Sequence, residues 1–229
     1  LRMQHKIKLI ECPRDAMQGW PHFISTQKKI EYINALLKVG FDTIDFGSFV
    51  SPKAIPQMAD TADVLRGLQI ENGKSKLLAI IANQRGAEDA VVFDEITYLG
   101  FPFSVSETFQ MRNTNSTIAQ SLGRVEEIQN LCIKNKKELV VYMSMGFGNP
   151  YGDVYSEEIV FDWVNKLVDM DISIISLADT VGLATKEQVY DITKYLVDSL
   201  PDTEIGVHLH STPTNWKEKV DAALKAGCK

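Results

Sequence analysis

His208 and His210 stand one residue apart at the end of an apolar run, Ile205-Gly206-Val207-His208-Leu209-His210, while the chain's other histidines, His5 and His22, show no ligand-like spacing. Side chains alternate along a strand, so the two imidazoles point the same way and Ile205, Val207 and Leu209 face the opposite side. Imidazoles converging on one point suit a divalent metal, which accepts neutral ring nitrogen and needs several donors aimed at one centre. A His-x-His pair also serves structural and surface roles. The choice depends on whether carboxylates and a cation reach the same place.

Polar residues gather where apolar runs end. The first run leads into Cys12-Pro13-Arg14-Asp15-Ala16-Met17-Gln18, the second into Asp45-Phe46-Gly47-Ser48, the third into Asn83-Gln84-Arg85, and the sixth into Ser176-Leu177-Ala178-Asp179-Thr180. In a closed eight-stranded barrel, strands one and seven are separated only by strand eight, so Asp15 could join His208 and His210 as a carboxylate ligand, leaving positions open for substrate. The planar guanidinium of Arg14 suits a carboxylate, a phosphate or a developing enolate oxygen, with a surface salt bridge as the competing account. Asp45 is expected to face the barrel mouth together with Gly47, as a general base or as an orienting group. Cys12 reads as a small buried residue, since nothing near it supplies the histidine a thiolate mechanism requires. The Gly146-to-Gly152 segment could cradle a ligand or be an ordinary loop.

What must position these residues is an alternation of strands and helices. Strands are expected near 7–11, 43–47, 77–82, 92–98, 139–144, 172–177 and 204–209. A helix over 26–39 stops at Gly40 and another spans 117–135. Ser156 opens a third, Thr185 and Gln188 form a capping box for a fourth, and Thr212-Pro213 begins a fifth whose inner face carries Trp216, Val220, Ala223 and Leu224. Runs such as Leu77-Leu78-Ala79-Ile80-Ile81 fit parallel strands buried on both faces. The expected fold is α/β, a TIM (β/α)8-type barrel with the eighth strand-helix unit missing from this chain, and residues 1–229 form a single, C-terminally incomplete domain. No Gly-x-Gly-x-x-Gly follows the first strand, which counts against a dinucleotide-binding sheet.

The chain is 45% hydrophobic and 24% charged, as an ordinary globular protein is, and its net charge of -6 argues against a general nucleic-acid binder. An anionic metabolite then requires locally placed Arg or Lys. Cys12, Cys132 and Cys228 are far apart and odd in number, so neither a zinc ribbon nor a disulfide framework is expected, and a cytoplasmic location is. No run approaches the roughly 18 apolar residues that span a bilayer, and no secretory signal pattern precedes the first strand. Because the chain starts at Leu1, a removed leader and the mitochondrial matrix stay open.

Pro13-Arg14-Asp15, Gln18, Ser48-Phe49-Val50-Ser51-Pro52-Lys53, Pro56-Gln57-Met58, Ser106-Glu107-x-Phe109, Asn113-x-Asn115, Ser176-Leu177-x-Asp179-Thr180-x-Gly182 and His208-x-His210 together resemble the 3-hydroxy-3-methylglutaryl-CoA lyase family. The wider superfamily, with isopropylmalate and homocitrate synthases and 4-hydroxy-2-oxovalerate aldolases, shares Arg-Asp and His-x-His; the Ser-Phe-Val-Ser-Pro-Lys segment is particular to the lyases. The resemblance implies cleavage of the CoA thioester into acetyl-CoA and acetoacetate, as in leucine degradation, with Mg2+ or Mn2+ held by Asp15, His208 and His210. It implies an enolate-stabilising role for Arg14, proton transfer by His208, an acid-base or orienting role for Asp45, and a substrate pocket lined by Arg14, Gln18, Ser48, Ser176 and Thr180. An acyl-CoA is the expected partner and a homodimer an admissible assembly, with no nucleic acid and no membrane.

The chain departs from the family at several positions. Glu11-Cys12-Pro13 lacks a usual glycine, Ala16 replaces another, Asp45 stands where the family has glutamate, and Ser211 where it has aspartate. A fourth ligand, an asparagine, and a glycine-rich cysteine loop would follow Lys229. The alternatives left open are a related aldolase or condensing synthase, a non-catalytic relative, and, from the ligand types alone, a zinc hydrolase or non-haem iron oxygenase.

Overall fold

In the computed structural model, residues 7–70 and 74–229 are described, which leaves His5 outside. The chain forms two compact units. The N-terminal unit comprises Lys8–Gly100 and Ile128–Glu138; the C-terminal unit comprises Phe101–Glu127 and Leu139–Lys229, with Ile7.

In the N-terminal unit β1 (Ile10–Glu11) is followed by α1 (Pro13–Gln18), α2 (Thr26–Leu37), β2 (Thr43–Ser48), a 3-10 turn at Pro56–Met58, α3 (Thr61–Arg66), β3 (Lys76–Ile80) and α4 (Gln84–Val91). β4 (Ile96–Ser104) belongs to it as far as Gly100. Strands β1 to β4 neighbour one another in chain order and every pairing is parallel. Ile44, Leu77, Leu78, Ala79 and Leu99 are fully buried, as expected of strands covered on both faces.

The C-terminal unit continues with α5 (Glu107–Thr114), α6 (Ile118–Lys134, in this unit up to Glu127), β5 (Glu138–Ser144, in this unit from Leu139), α7 (Glu157–Val168), β6 (Ile174–Asp179), α8 (Lys186–Ser199), β7 (Glu204–Leu209) and α9 (Trp216–Ala226). Parallel register joins β5 to β6, from Val140 opposite Ile174, and β6 to β7, where Ala178 faces His208. Val141, Met143, Ile175, Leu177 and Ile205 fill its core. The Thr185–Gln188 capping box is present on α8, and Gly227 ends α9 in the left-handed region at φ 93°. Just beyond, the Lys229 N–H donates to the Ile205 carbonyl of β7 at 3.0 Å.

Seven strands are present among the described residues, as expected, but three local readings need correction. The fourth strand lies at Ile96–Ser104 rather than 92–98, because Val91-Val92 closes α4, whose buried face is Gly86, Ala87 and Ala90; Val92 itself is 72% exposed. Helix α2 stops at Leu37 with Lys38 as its cap, and Gly40 takes its positive φ two residues later. Helix α9 starts at Trp216 after Asn215, and it is rotated relative to the expected face. Lys219, Ala222, Ala223 and Ala226 are buried, whereas Trp216, Val220 and Leu224 are 52%, 37% and 41% exposed. Alanine at close helix-strand contacts outcompetes larger side chains for the inner position, and hydrophobicity alone does not show that. Among the described residues, no helix is long and apolar enough to cross a membrane.

Candidate active site

Arg14, Asp15 and Gln18 lie on α1, a single turn and a half that Pro13 starts by presetting φ at the first helical position. This places Arg14 and Gln18 one turn apart on one face. The Arg14 guanidinium reaches across to β2, where Nη2 donates to Asp45 Oδ2 at 2.6 Å and Nε to both carboxylate oxygens at 3.1 and 3.2 Å. Its Nη1 donates to Asp15 Oδ1 at 3.1 Å and to Gln18 Oε1 at 2.9 Å, and Gln18 Nε2 donates to the same Asp15 oxygen at 3.1 Å. The Arg14 and Asp45 side chains are 10% and 1% exposed, but that of Asp15 is 26%. The pair is therefore buried behind a carboxylate that still meets solvent.

Asp45 and Gly47 do not share a face. A register shift between them interrupts the pairing with β3, so strict alternation fails. Asp45 meets Arg14 of α1, while a Cβ on Gly47 would lie 2.6 Å from Thr61 Cγ2 of α3, which is why this position takes glycine. Ser48, next along β2, is buried, and its N–H donates to Thr61 Oγ1 at 3.2 Å. Among the described residues its own hydroxyl has no hydrogen-bond partner. A buried hydroxyl left without a partner is costly and is common where a ligand supplies the bond.

Burial pushes the Cys12 thiol up to about 12, helped by the Asp45 charge and opposed by Arg14, so it is no thiolate nucleophile at neutral pH. The Pro56-Gln57-Met58 segment is a scaffold. Gln57 accepts from the Ile24 N–H at 2.8 Å and donates to the His22 and Trp20 carbonyls at 2.9 and 3.3 Å, tying down the loop after α1. The Gln57 carbonyl in turn accepts from the buried Lys29 ammonium, which pairs with Asp60 at 2.6 Å. His22 is exposed, as expected.

In the C-terminal unit His208 is on β7 and His210 is the first residue beyond it. Their ring centroids are 5.3 Å apart, which agrees with the same-side reading. The Tyr142 ring of β5 stands edge-on to His208 at 5.7 Å, a neighbour the sequence reading missed because an apolar strand hides its one phenol. Ser176 sits on β6 opposite Gly206. The Thr180 hydroxyl accepts from the Met145 N–H at 2.8 Å and so holds the left-handed residue that starts the glycine-rich loop. That loop is tied in place. Asn149 accepts from the Tyr151 and Asp153 amides, Tyr155 donates to the Gly146 carbonyl, and Asp153 accepts from Ser106 Oγ and from the Thr108 N–H and hydroxyl of α5. These bonds hold the Asp153 carboxyl below its usual range.

Sequence reading also missed Lys219 of α9. Its ammonium donates to Asp179 Oδ2 at 2.7 Å, and the two side chains are 2% and 1% exposed. The signal that could have found it is Ala222, Ala223 and Ala226, whose spacing marks an inner face on which Lys219 lies one turn earlier.

Parallel strand-helix units with polar side chains at the strand ends are the α/β organisation of the (β/α)8 class. The chain belongs to the HMGL-like family, whose model matches residues 6–229. It is 33% identical to the hydroxymethylglutaryl-CoA lyase YngG of Bacillus subtilis over 218 residues, covering 94% of this chain and 71% of that protein. The crystal structure of the B. subtilis HMG-CoA lyase superposes with a TM-score of 0.90 at 34% identity, over 97% of this chain and 74% of that one. An HMG-CoA lyase from Acinetobacter baumannii, solved with coenzyme A and 3-methylmalate, gives a TM-score of 0.89 at 33% identity, covering 96% and 72%. These relatives are carbon-carbon lyases, and this chain is an enzyme of that class with seven strand-helix units among its described residues.

Proposed function

We propose that the protein cleaves 3-hydroxy-3-methylglutaryl-CoA into acetyl-CoA and acetoacetate, with Asp15, His208 and His210 holding Mg2+ or Mn2+. The observation that carries the reading is the Arg14 guanidinium, buried and clamped by Asp45 beside a carboxylate that remains accessible. The donor set fits the ion: Asp15, His208 and His210 offer one carboxylate oxygen and two ring nitrogens. When bound, a divalent cation polarises the substrate's 3-hydroxyl and lowers the cost of removing its proton.

With its ring nitrogen released from the ion, His208 takes the 3-hydroxyl proton and later returns it to C2; between the two transfers the alkoxide electron pair forms the acetoacetate ketone, and the C2–C3 bond breaks toward the thioester. The electron pair arriving at C2 delocalises onto the thioester oxygen, where Arg14 stabilises the enolate charge before C2 is protonated. Asp45 holds the guanidinium plane, because two of its donors are committed to one carboxylate. Gln18, Ser48, Ser176 and Thr180 contribute polar groups to the substrate pocket. A relative solved with coenzyme A supports an acyl-CoA as the partner.

The test is incubation of the protein with Mg2+ or Mn2+ and the thioester. Acetoacetate should appear in a metal-dependent manner, and Arg14→Gln should lower kcat by about 100-fold or more, the scale of losing one stabiliser of an oxyanion. No acetoacetate above the metal-free control would sink the assignment, as would one tightly held zinc or iron per chain in elemental analysis.

A further inference from the structure

The reaction leaves one buried charge of the C-terminal unit without a task. Lys219 projects from α9 to the ends of β6 and β7, where its ammonium has three acceptors: Asp179 Oδ2 at 2.7 Å, the His210 carbonyl at 3.3 Å and the Gly182 carbonyl at 3.4 Å. An ammonium has three donors. The remaining Asp179 oxygen, Oδ1, accepts from the Ala184 N–H at 3.1 Å, and the Asp179 carbonyl accepts from the His210 N–H at 3.4 Å. Gly182, at φ 72°, brings its own turn so close that a Cβ would lie 3.3 Å from the His210 carbonyl oxygen.

Stability alone is a poor reason for this arrangement. Desolvating an ammonium and a carboxylate offsets most of their attraction, and apolar replacements of buried pairs are often neutral or stabilising. What the pair does is local. His210 lies one residue past β7, and its carbonyl and amide are both held, the first by Lys219 and the second by Asp179. Fixing the main chain on both sides of a Cα fixes the direction in which its side chain leaves.

We propose that Lys219 is a positioning residue for His210, orienting its imidazole through the main chain so that the ring is aligned before a metal ion arrives. The inference deepens the metal-ligand reading of His210 and rests on it for its consequence, but the alignment itself exists in the metal-free protein. Losing a partner bonded to a ligating side chain costs about 10- to 100-fold in metal affinity, and the same scale is the expectation for a hold on the main chain that carries the ligand.

The experiment compares the full chain with Lys219→Met, Lys219→Arg and Asp179→Asn. Histidine ring resonances are recorded without metal, with His210 assigned through His210→Gln, and Mn2+ affinity is measured by calorimetry. Lys219→Met should shift or broaden the His210 signals while leaving those of His22 unchanged, and should weaken Mn2+ binding by about 10- to 100-fold. Lys219→Arg should restore part of both. A folded Lys219→Met protein with wild-type His210 resonances and wild-type Mn2+ affinity overturns the proposal. Should that variant fail to fold, Asp179→Asn decides by the same two measurements. A wild-type chain that binds no Mn2+ removes the metal reading, while the metal-free resonances still decide the role of Lys219.

Discussion

Arg14 and Asp45 form a pair whose energetics are asymmetric. Both are largely desolvated, so their attraction mainly repays the loss of water, and the penalty falls on whichever partner is left alone. Asp45→Ala should therefore destabilise the protein by about 3 kcal/mol, the low end for breaking a buried pair, because Asp15 and Gln18 still accept from Nη1. Urea unfolding checks this, and an unchanged midpoint would mean that water reaches the guanidinium freely. The residue types needed for this site were legible in the sequence, as was the direction of the two imidazoles, since period-two alternation holds along β7. The Asp45–Gly47 relationship was not, because a bulge is a property of two strands and leaves no mark on one of them.

At the level of elements, capping chemistry was the most readable signal. Ser156 and Thr185 each accept from the N–H three residues on, as their types predict, and Ser25, which the sequence analysis did not single out, does the same for α2. Short helices were hidden: α1, α3, α4 and α5 have at most eight residues, too few for a repeating apolar face. Helix α4 gives a prediction in which propensity and packing oppose each other. A Cβ on Gly86 would stand 2.3 Å from the Phe49 carbonyl oxygen, a main-chain atom that cannot swing away. Alanine is a better helix former by about 1 kcal/mol, yet Gly86→Ala should lower stability by about 1–3 kcal/mol through overpacking. A raised thermal midpoint for Gly86→Ala would refute that ranking.

For the whole molecule, a metal held by Asp15, His208 and His210 would link ligand binding to global stability, since the unfolded chain offers no comparable donor set. Mn2+ at about 1,000 times its Kd should add about 4 kcal/mol, roughly 8–16 °C in thermal midpoint for a chain of this size. His210→Ala should abolish that gain while changing the metal-free midpoint little, because His210 is exposed; calorimetry with and without Mn2+ reads both. The order of parallel strands and helices was set by the sequence itself, because apolar runs, caps and turns are local properties that repeat along the chain. The identities of Arg14, Asp15, His208 and His210 were likewise visible, because chemistry constrains residue type as well as position. Only the tertiary structure decided that Asp45 clamps Arg14, that Gln57 braces a loop 33 residues away, and that Lys219 faces inward beneath His210. The first two join residues 31 and 33 positions apart, and the third seats a helix residue against a strand end, so their energies depend on a burial and a geometry that do not exist until the strands have paired.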